Sequence, residues 1–434
     1  MVLAATGSGN TLTQPATTTN ASGVATGTLA STLAESKTIS ATINAVAITQ
    51  TATVVVNAGT VSASQSTMSA TSPITAGSGT STITVTARDA SGNPVQGATV
   101  VLAATGTGNT LTQPAAPTNA SGLATGTLGS TVAESKTVSA TIDGVAVTQT
   151  ATVVVDVGAA TKLAFTTPPS NAAQSGVQLP QQPVLQVQDA NSNPVSGSGV
   201  VVTATVTPAG ATPSNATATT GAGGAASFSG LTLTGTAGSY TLSFAAEGLT
   251  PATSGVTLSA GPAATILSNS PTTQSATVGA AVGSPPSVLV RDGVGNPVAN
   301  VAVTFAVASG NGSITGANQT TNTSGIATVG SWTLSSTAGT NTLTATATGS
   351  GITGNPVTFT AEGTPGAATT IAFVVQPSNT PAGAVITPPV QVAARDAQGN
   401  TATAFTGTIT LAIDRKSTRL NSSHSSPSRM PSSA

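Results

Sequence analysis

The chain repeats itself at a period near one hundred residues, and that period limits its folds more than any other feature. Residues 2–15 read VLAATGSGNTLTQP and residues 101–114 read VLAATGTGNTLTQP, an offset of 99. The match continues, with TNASGVATGTLASTLAESKTISATI (19–43) returning as TNASGLATGTLGSTVAESKTVSATI (118–142). A second marker is RDASGNPV from Arg88, seen again as QDANSNPV from Gln188, RDGVGNPV from Arg291 and RDAQGNTA from Arg395. A third opens each unit: AGT at Ala58, GAAT at Gly158, GPAAT at Gly261 and GAAT at Gly366. Such a period is too long for one coil of a solenoid and suits a string of self-contained domains, each with its own core.

Within a unit the pattern is that of strands. Ile83, Val85 and Ala87 alternate before the Asp89 turn, and Ala98, Val100, Leu102 and Ala104 alternate after it. Later units repeat this with Val200, Val202, Ala204 and Val206, then with Val301, Val303, Phe305 and Val307. Apolar residues at period two, with Thr and Ser between them, describe antiparallel strands with one face buried and one wet. No segment carries a sustained helical period. Short strands punctuated by Gly, Pro and Asn in about 100 residues predict a two-sheet sandwich. In DxxGNPV, Asp89 can close an Asx turn, Gly92 and Asn93 tolerate positive φ, and Pro94 sets φ at the next strand.

The expected organisation is a partial domain over 1–57, complete domains over 58–157, 158–260 and 261–365, and a partial domain over 366–413. By the 99-residue offset Met1 falls where the next unit has Val100, in mid-strand, so a valine codon read as a start is the expected origin of that end. Both ends are thus expected to cut through a unit, and the lack of a signal peptide carries no information.

Residues 414–434, DRKSTRLNSSHSSPSRMPSSA, break sharply from this composition and hold four of the ten Lys and Arg and the single His, His424. Asp414 to His424 resemble the translation of a common DNA-sequencing adapter, and Ser428 to Ala434 resemble its far end. The expectation is a non-native, disordered tail. The alternative is a short basic tail for an anionic partner.

Composition excludes whole classes. The 434 residues contain no Cys, and only 5% are charged, against roughly 25% in ordinary globular chains. Disulfide frameworks, zinc clusters and thiol nucleophiles are impossible without Cys. Outside the tail there are six cations, ten anions and no His, so neither a His-based triad nor a phosphate-binding basic patch can be built. No apolar run approaches the roughly 20 residues of a membrane helix.

The repeats resemble the bacterial immunoglobulin-like domains of group 1, the invasin and intimin type found in tandem in surface adhesins. The residues that carry the likeness are Asp89, Gly92, Asn93, Pro94 and Val95, then Thr118, Asn119, Gly122 and Ala124. In the third complete unit they are Asp292, Gly295, Asn296, Pro297 and Val298, then Thr321, Gly325, Ala327 and Thr337 to Gly339. The likeness weakens in 158–260, where Ser192 replaces the turn glycine and Gly221 to Gly224 replace TNxSG, and in 366–413, where Thr401 replaces the proline. The resemblance implies an all-β chain of tandem immunoglobulin-like β-sandwich domains in an elongated array. It further implies a stalk between an outer-membrane anchor and a binding head, neither of which this sequence resembles.

Candidate sites are sparse. General acid–base catalysis needs two carboxylates on one pocket, and the acidic residues are dispersed. Calcium between units needs several carboxylates, and Asp156 with Asp189 is the pair to consider, set against plain turn and linker roles. Arg88–Asp89, Arg291–Asp292 and Arg395–Asp396 could form a stripe of binding patches, against the plainer expectation of solvated ends with surface ion pairs. Asn20, Asn119, Asn215, Asn311 and Asn322 match the glycosylation pattern, which chance supplies in a chain this rich in Asn, Ser and Thr. Trp332, Tyr240, Phe228, Phe244 and Phe305 sit on or beside apolar alternations and are expected in the core.

No catalytic, cofactor or metal residue is therefore assigned, and no cofactor is expected. The function expected is a non-enzymatic spacer of a cell-surface or secreted adhesin-like protein. The partner expectations are no nucleic acid, no insertion of this segment into a membrane, a monomeric rod, and a host-cell or glycan ligand met only by parts beyond it. The alternatives are a ligand-binding module and the accessory region of a secreted enzyme.

Overall fold

The computed structural model describes residues 1–16 and 18–412, so the expected adapter-derived tail over 414–434 lies outside the described residues. The described residues form 37 strands and no helix, as the alternation requires of an all-β chain. Two compact units result, Met1–Ser259 and Ala260–Ala434.

The first unit contains two sandwiches. One packs the sheet Asn109–Thr112, Leu123–Ser130, Thr80–Thr86 and Thr67–Ala70, in that order, against a second sheet. That second sheet runs Val100–Ala104, Ser135–Ile142, Ala151–Asp156 and Ile74–Thr75. The pairing is antiparallel except that Ile74–Thr75 lies parallel to the end of Ala151–Asp156. Ile83, Val85 and Leu128 from one sheet meet Leu102, Val138, Ile142 and Val153 from the other, all buried. The inward set is the period-two set of the sequence.

The other sandwich of this unit puts the three strands Ala160–Thr167, Val184–Asp189 and Ala225–Ser227 over five, among them Gly238–Ala245 and Ala252–Ser259. Its core centres on Phe244, which takes Phe165 and Phe228 edge-on at centroid distances of 5.4 and 5.2 Å. Ala172–Gln174 again pairs parallel with the last strand.

In the second unit the three strands Ala263–Ser268, Ser287–Asp292 and Ile326–Thr328 face a five-stranded sheet that includes Ala302–Ser309, Gly339–Ala347 and Val357–Thr364. Trp332, Phe305 and Phe359 fill the space between them. Tyr240, Phe228, Phe244, Phe305 and Trp332 are all buried, where the alternation puts them.

The segment before residue 58 holds the sheet of Val2–Ala5, Ser36–Ile43, Val46–Ala47 and Ala52–Val55, and the hairpin of Asn10–Thr13 with Thr28–Ser31. Ile142 is fully buried but its counterpart Ile43 is 43% exposed, and Val153 is fully buried but its counterpart Val54 is 39% exposed. The register is the same and the sequence nearly so, and it is the facing strands that differ. Beyond residue 365, Thr370–Val375 and Gln391–Arg395 pair, leaving Ile371 and Phe373 exposed.

Candidate functional site

The sequence markers converge at one place, the turn that begins at Asp89 and its counterparts. The Asp89 carboxylate accepts backbone N–H bonds from Ser91 and Asn93 on Oδ1, at 2.9 Å each, which closes the expected Asx turn. Its Oδ2 accepts the Asn93 side-chain amide at 2.8 Å and the backbone N–H of Gly59, thirty residues earlier, at 2.8 Å. The opening Gly of a unit, the third sequence marker, is thereby tied to its turn. Gly158 binds Asp189 at 2.9 Å, Gly261 binds Asp292 at 2.7 Å and Gly366 binds Asp396 at 3.0 Å.

Asn93 reaches further. Its Oδ1 accepts the N–H of Ala34 at 3.0 Å, and its Nδ2 donates to the carbonyl of Thr32 at 2.9 Å, both in the preceding repeat. Asn193 does the same to Ala133 N–H and Thr131 carbonyl, at 2.9 Å each. Asn400 does so to Ala338 N–H and Ser336 carbonyl, at 2.7 and 2.8 Å. With the bond to its own Asp, both amide hydrogens and the amide oxygen of each Asn are used. Asn93 and Asn193 are buried, so an unmade bond there would leave a desolvated polar group. One Asp and one Asn four residues later thus join the turn, the linker and the neighbouring repeat. At the second joint the approach is close: a Cβ on Gly77 would lie 2.2 Å from Asn191 Nδ2.

Burial pulls the Asp89 carboxyl upward. The Asn93 amide and the N–H groups of Gly59, Asn93 and Ser91 outweigh it and hold the carboxyl below its usual range. Burial is likewise opposed and outweighed at Asp189, Asp292 and Asp396 by the matching Asn and N–H donors, and all three are lowered. These charges are neutralised by N–H dipoles, not by cations.

The expected surface ion pairs between the adjacent Arg and Asp are not formed. Arg88 donates to the carbonyl of Gly92 at 2.6 Å, Arg291 to Gly295 at 3.2 Å and Arg395 to Gly399 at 3.0 Å. The carboxylate points into the joint, so the guanidinium staples the turn instead. Asp189, one half of the calcium pair considered, spends both oxygens on four N–H donors. Among the described residues no group of three or more His, Cys, Asp or Glu could hold a metal ion.

The rest of the motif serves the same end. Thr118 Oγ1 donates to the Val95 carbonyl at 2.6 Å and accepts the Ala98 N–H at 2.9 Å, clipping the strand after the turn. Thr220 and Thr321 repeat that clip. Asn119 Oδ1 accepts the N–H groups of Ser121 and Leu123, a turn role for a residue that also matches the glycosylation pattern.

Sequence reasoning missed two ion pairs. Lys37 and Lys136 are fully buried, bonded to Glu35 and Glu134 and to the carbonyls of Ser8 and Thr107 at 2.6 Å each. The Lys136 hydrogen bond, followed by the Thr107 N–H, holds Glu134 below its usual range. Lys at the third position of ESKT, on the inward parity of a strand, was the available signal.

Among the described residues no helix is long and apolar enough to cross a membrane. Sandwich repeats joined by such turns make this a tandem immunoglobulin-like protein. Residues 63–155 match the family described as the bacterial Ig-like domain (group 1), and residues 158–258 match the sixth Ig-like domain of SMCHD1. No curated protein matches the chain. Among solved structures it is similar to the Escherichia coli adhesin FdeC, at 23% identity over 70% of this chain and 99% of that one, with a TM-score of 0.43. InvD of Yersinia pseudotuberculosis is 23% identical over 63% of this chain and 81% of that one, with a TM-score of 0.35. Invasin, described as a bacterial integrin-binding protein, is 18% identical over 82% and 71%, with a TM-score of 0.37.

Proposed function

We propose that the chain is a non-enzymatic spacer of a bacterial cell-surface or secreted adhesin-like protein. Its repeats are bounded at 58–157, 158–260 and 261–365, with partial ones over 1–57 and 366–413. The observation that carries this reading is the Asp–Asn joint. Where the chemistry-capable side chains of a unit are spent on its neighbour and its linker, their work is to hold one repeat against the next. Short linkers held in this way restrict bending, which is what a spacer requires. Phe228, Tyr240, Phe244, Phe305 and Trp332, the aromatic residues considered for a sugar platform, are in the cores, which favours a spacer over a ligand-binding module in 158–365, while Phe373 and Phe405 beyond it are exposed.

Long-read sequencing of the source DNA across both ends of the frame tests the reading. The expected result is more such repeats joined to an anchor or a binding head. A catalytic domain joined to these repeats would instead make them an enzyme's accessory region. Native sequence continuing through the string at 414–434 would refute its adapter origin.

A further inference from the structure

The joints at Asn93, Asn193 and Asn400 share one feature that matters. On one side the Asn side chain is always the same, but on the other it touches main chain only: Thr32 and Ala34, Thr131 and Ala133, Ser336 and Ala338. The residue between each pair is Leu33, Val132 and Thr337, of three different shapes and polarities. Asn93 moreover makes its two bonds to a repeat with an open apolar face, with the same geometry that Asn193 makes to a closed sandwich. The acceptor needs only a carbonyl and an N–H two residues apart in the bend between two strands. The linker is read the same way, through the backbone N–H of Gly59, Gly158 or Gly366, with no linker side chain involved.

From this we infer that the Asp-x-x-x-Asn turn is a sequence-independent latch: its partner is the main-chain carbonyl and N–H of a bend between two strands, so repeats are interchangeable at the joint. The inference rests on the spacer reading and adds to it that the number and order of repeats can change without a new interface. The near identity of residues 2–56 and 101–155 is what such exchange leaves behind. The middle joint supports the same point, because the repeat least like the others by sequence, with Ser192 and Gly221 to Gly224 at the motif positions, keeps the latch intact.

The absence of Cys allows a direct test by paired spin labels in the full chain. Labels at Thr112→Cys and Thr241→Cys span the second joint. In a chain lacking residues 59–157, which joins Ala58 to Gly158 and keeps the linker length, Thr13→Cys replaces Thr112→Cys at the equivalent position, and Asn193 must latch onto Thr32 and Ala34. The expected result is a narrow distance distribution in the full chain, the same distribution after the deletion, and a broadened one for Asn193→Ala. Narrow in the full chain but shifted or broadened after the deletion would overturn interchangeability and leave the spacer reading standing. An unchanged width in Asn193→Ala would overturn the latch. A broad distribution in the unmodified joint would count against the spacer reading itself. Changing Thr131 and Val132 to the Ser and Thr of the Asn400 joint should leave the distribution as it was, and a broadening there would show side-chain recognition.

Discussion

At the scale of single residues, two glycine positions separate backbone need from packing need. Gly122 has φ of 75°, and a Cβ there would lie 2.5 Å from the Ala87 carbonyl oxygen, whereas Gly92 has φ of 85° with nothing within 4 Å. Gly122→Ala is therefore expected to cost about 2 kcal/mol and Gly92→Ala about half that, measured by urea unfolding. Equal costs would mean that the close approach is unimportant. Ser192 stands where Gly92 does and adopts φ of 71°. Ser192→Gly should raise stability by about 0.5–1 kcal/mol, less whatever its bond from Lys162 contributes. That turn was legible in the sequence because Asp, Gly, Asn and Pro each have a known place in one. The Asn was not legible as a latch, since its partner lies some sixty residues away in another repeat and no local pattern points to it.

Among elements, the loop over 105–108 and the strand Ser135–Ile142 are held together by Lys136, whose side chain is fully buried while that of Glu134 is 40% exposed. A buried ammonium is retained only with its partners, and an apolar chain of similar length can replace it at little net cost. Lys136→Met is expected within about 1 kcal/mol of the parent, and Lys136→Ala to lose about 2–4 kcal/mol through the cavity it leaves. A larger loss in the Met variant than in the Ala variant would show that the charge, not the packing, is what matters. The four turn carboxylates make a prediction about acid. Because folding lowers their pKa, their contribution is complete above the unfolded value of about 4 and is lost as the pH falls through the lower folded value. Unfolding midpoints should be level from neutrality to about pH 4 and drop below it, and stability that persists unchanged to pH 2 would contradict the assignment. The strands themselves were readable from Ile83, Val85 and Val100, Leu102, because period two with Thr and Ser between has one physical meaning. Lys37 and Lys136 were hidden by the convention that a charge faces water.

For the whole molecule, repetition made the architecture visible before any strand was placed, since a unit that recurs at 99–104 residues must contain its own core. What repetition cannot reveal is how one unit meets the next, and the turn Asp and Asn side chains are spent there. Six Lys and Arg in residues 1–413, two of them fully buried, leave few places for trypsin. Slow digestion of the native chain is expected, and rapid reduction to small peptides would argue against closed sandwiches. The central claim is that the Asp–Asn turn locks linker and neighbour together, and amide hydrogen exchange followed by NMR tests it at the bonds themselves. Gly59, Gly158, Ala34 and Ala133 should exchange far more slowly than unstructured amides, with Ala133 losing that protection in Asn193→Ala and Gly158 losing it in Asp189→Ala. Exchange of these four amides at the unprotected rate in the unmodified protein would show that the joints are not locked.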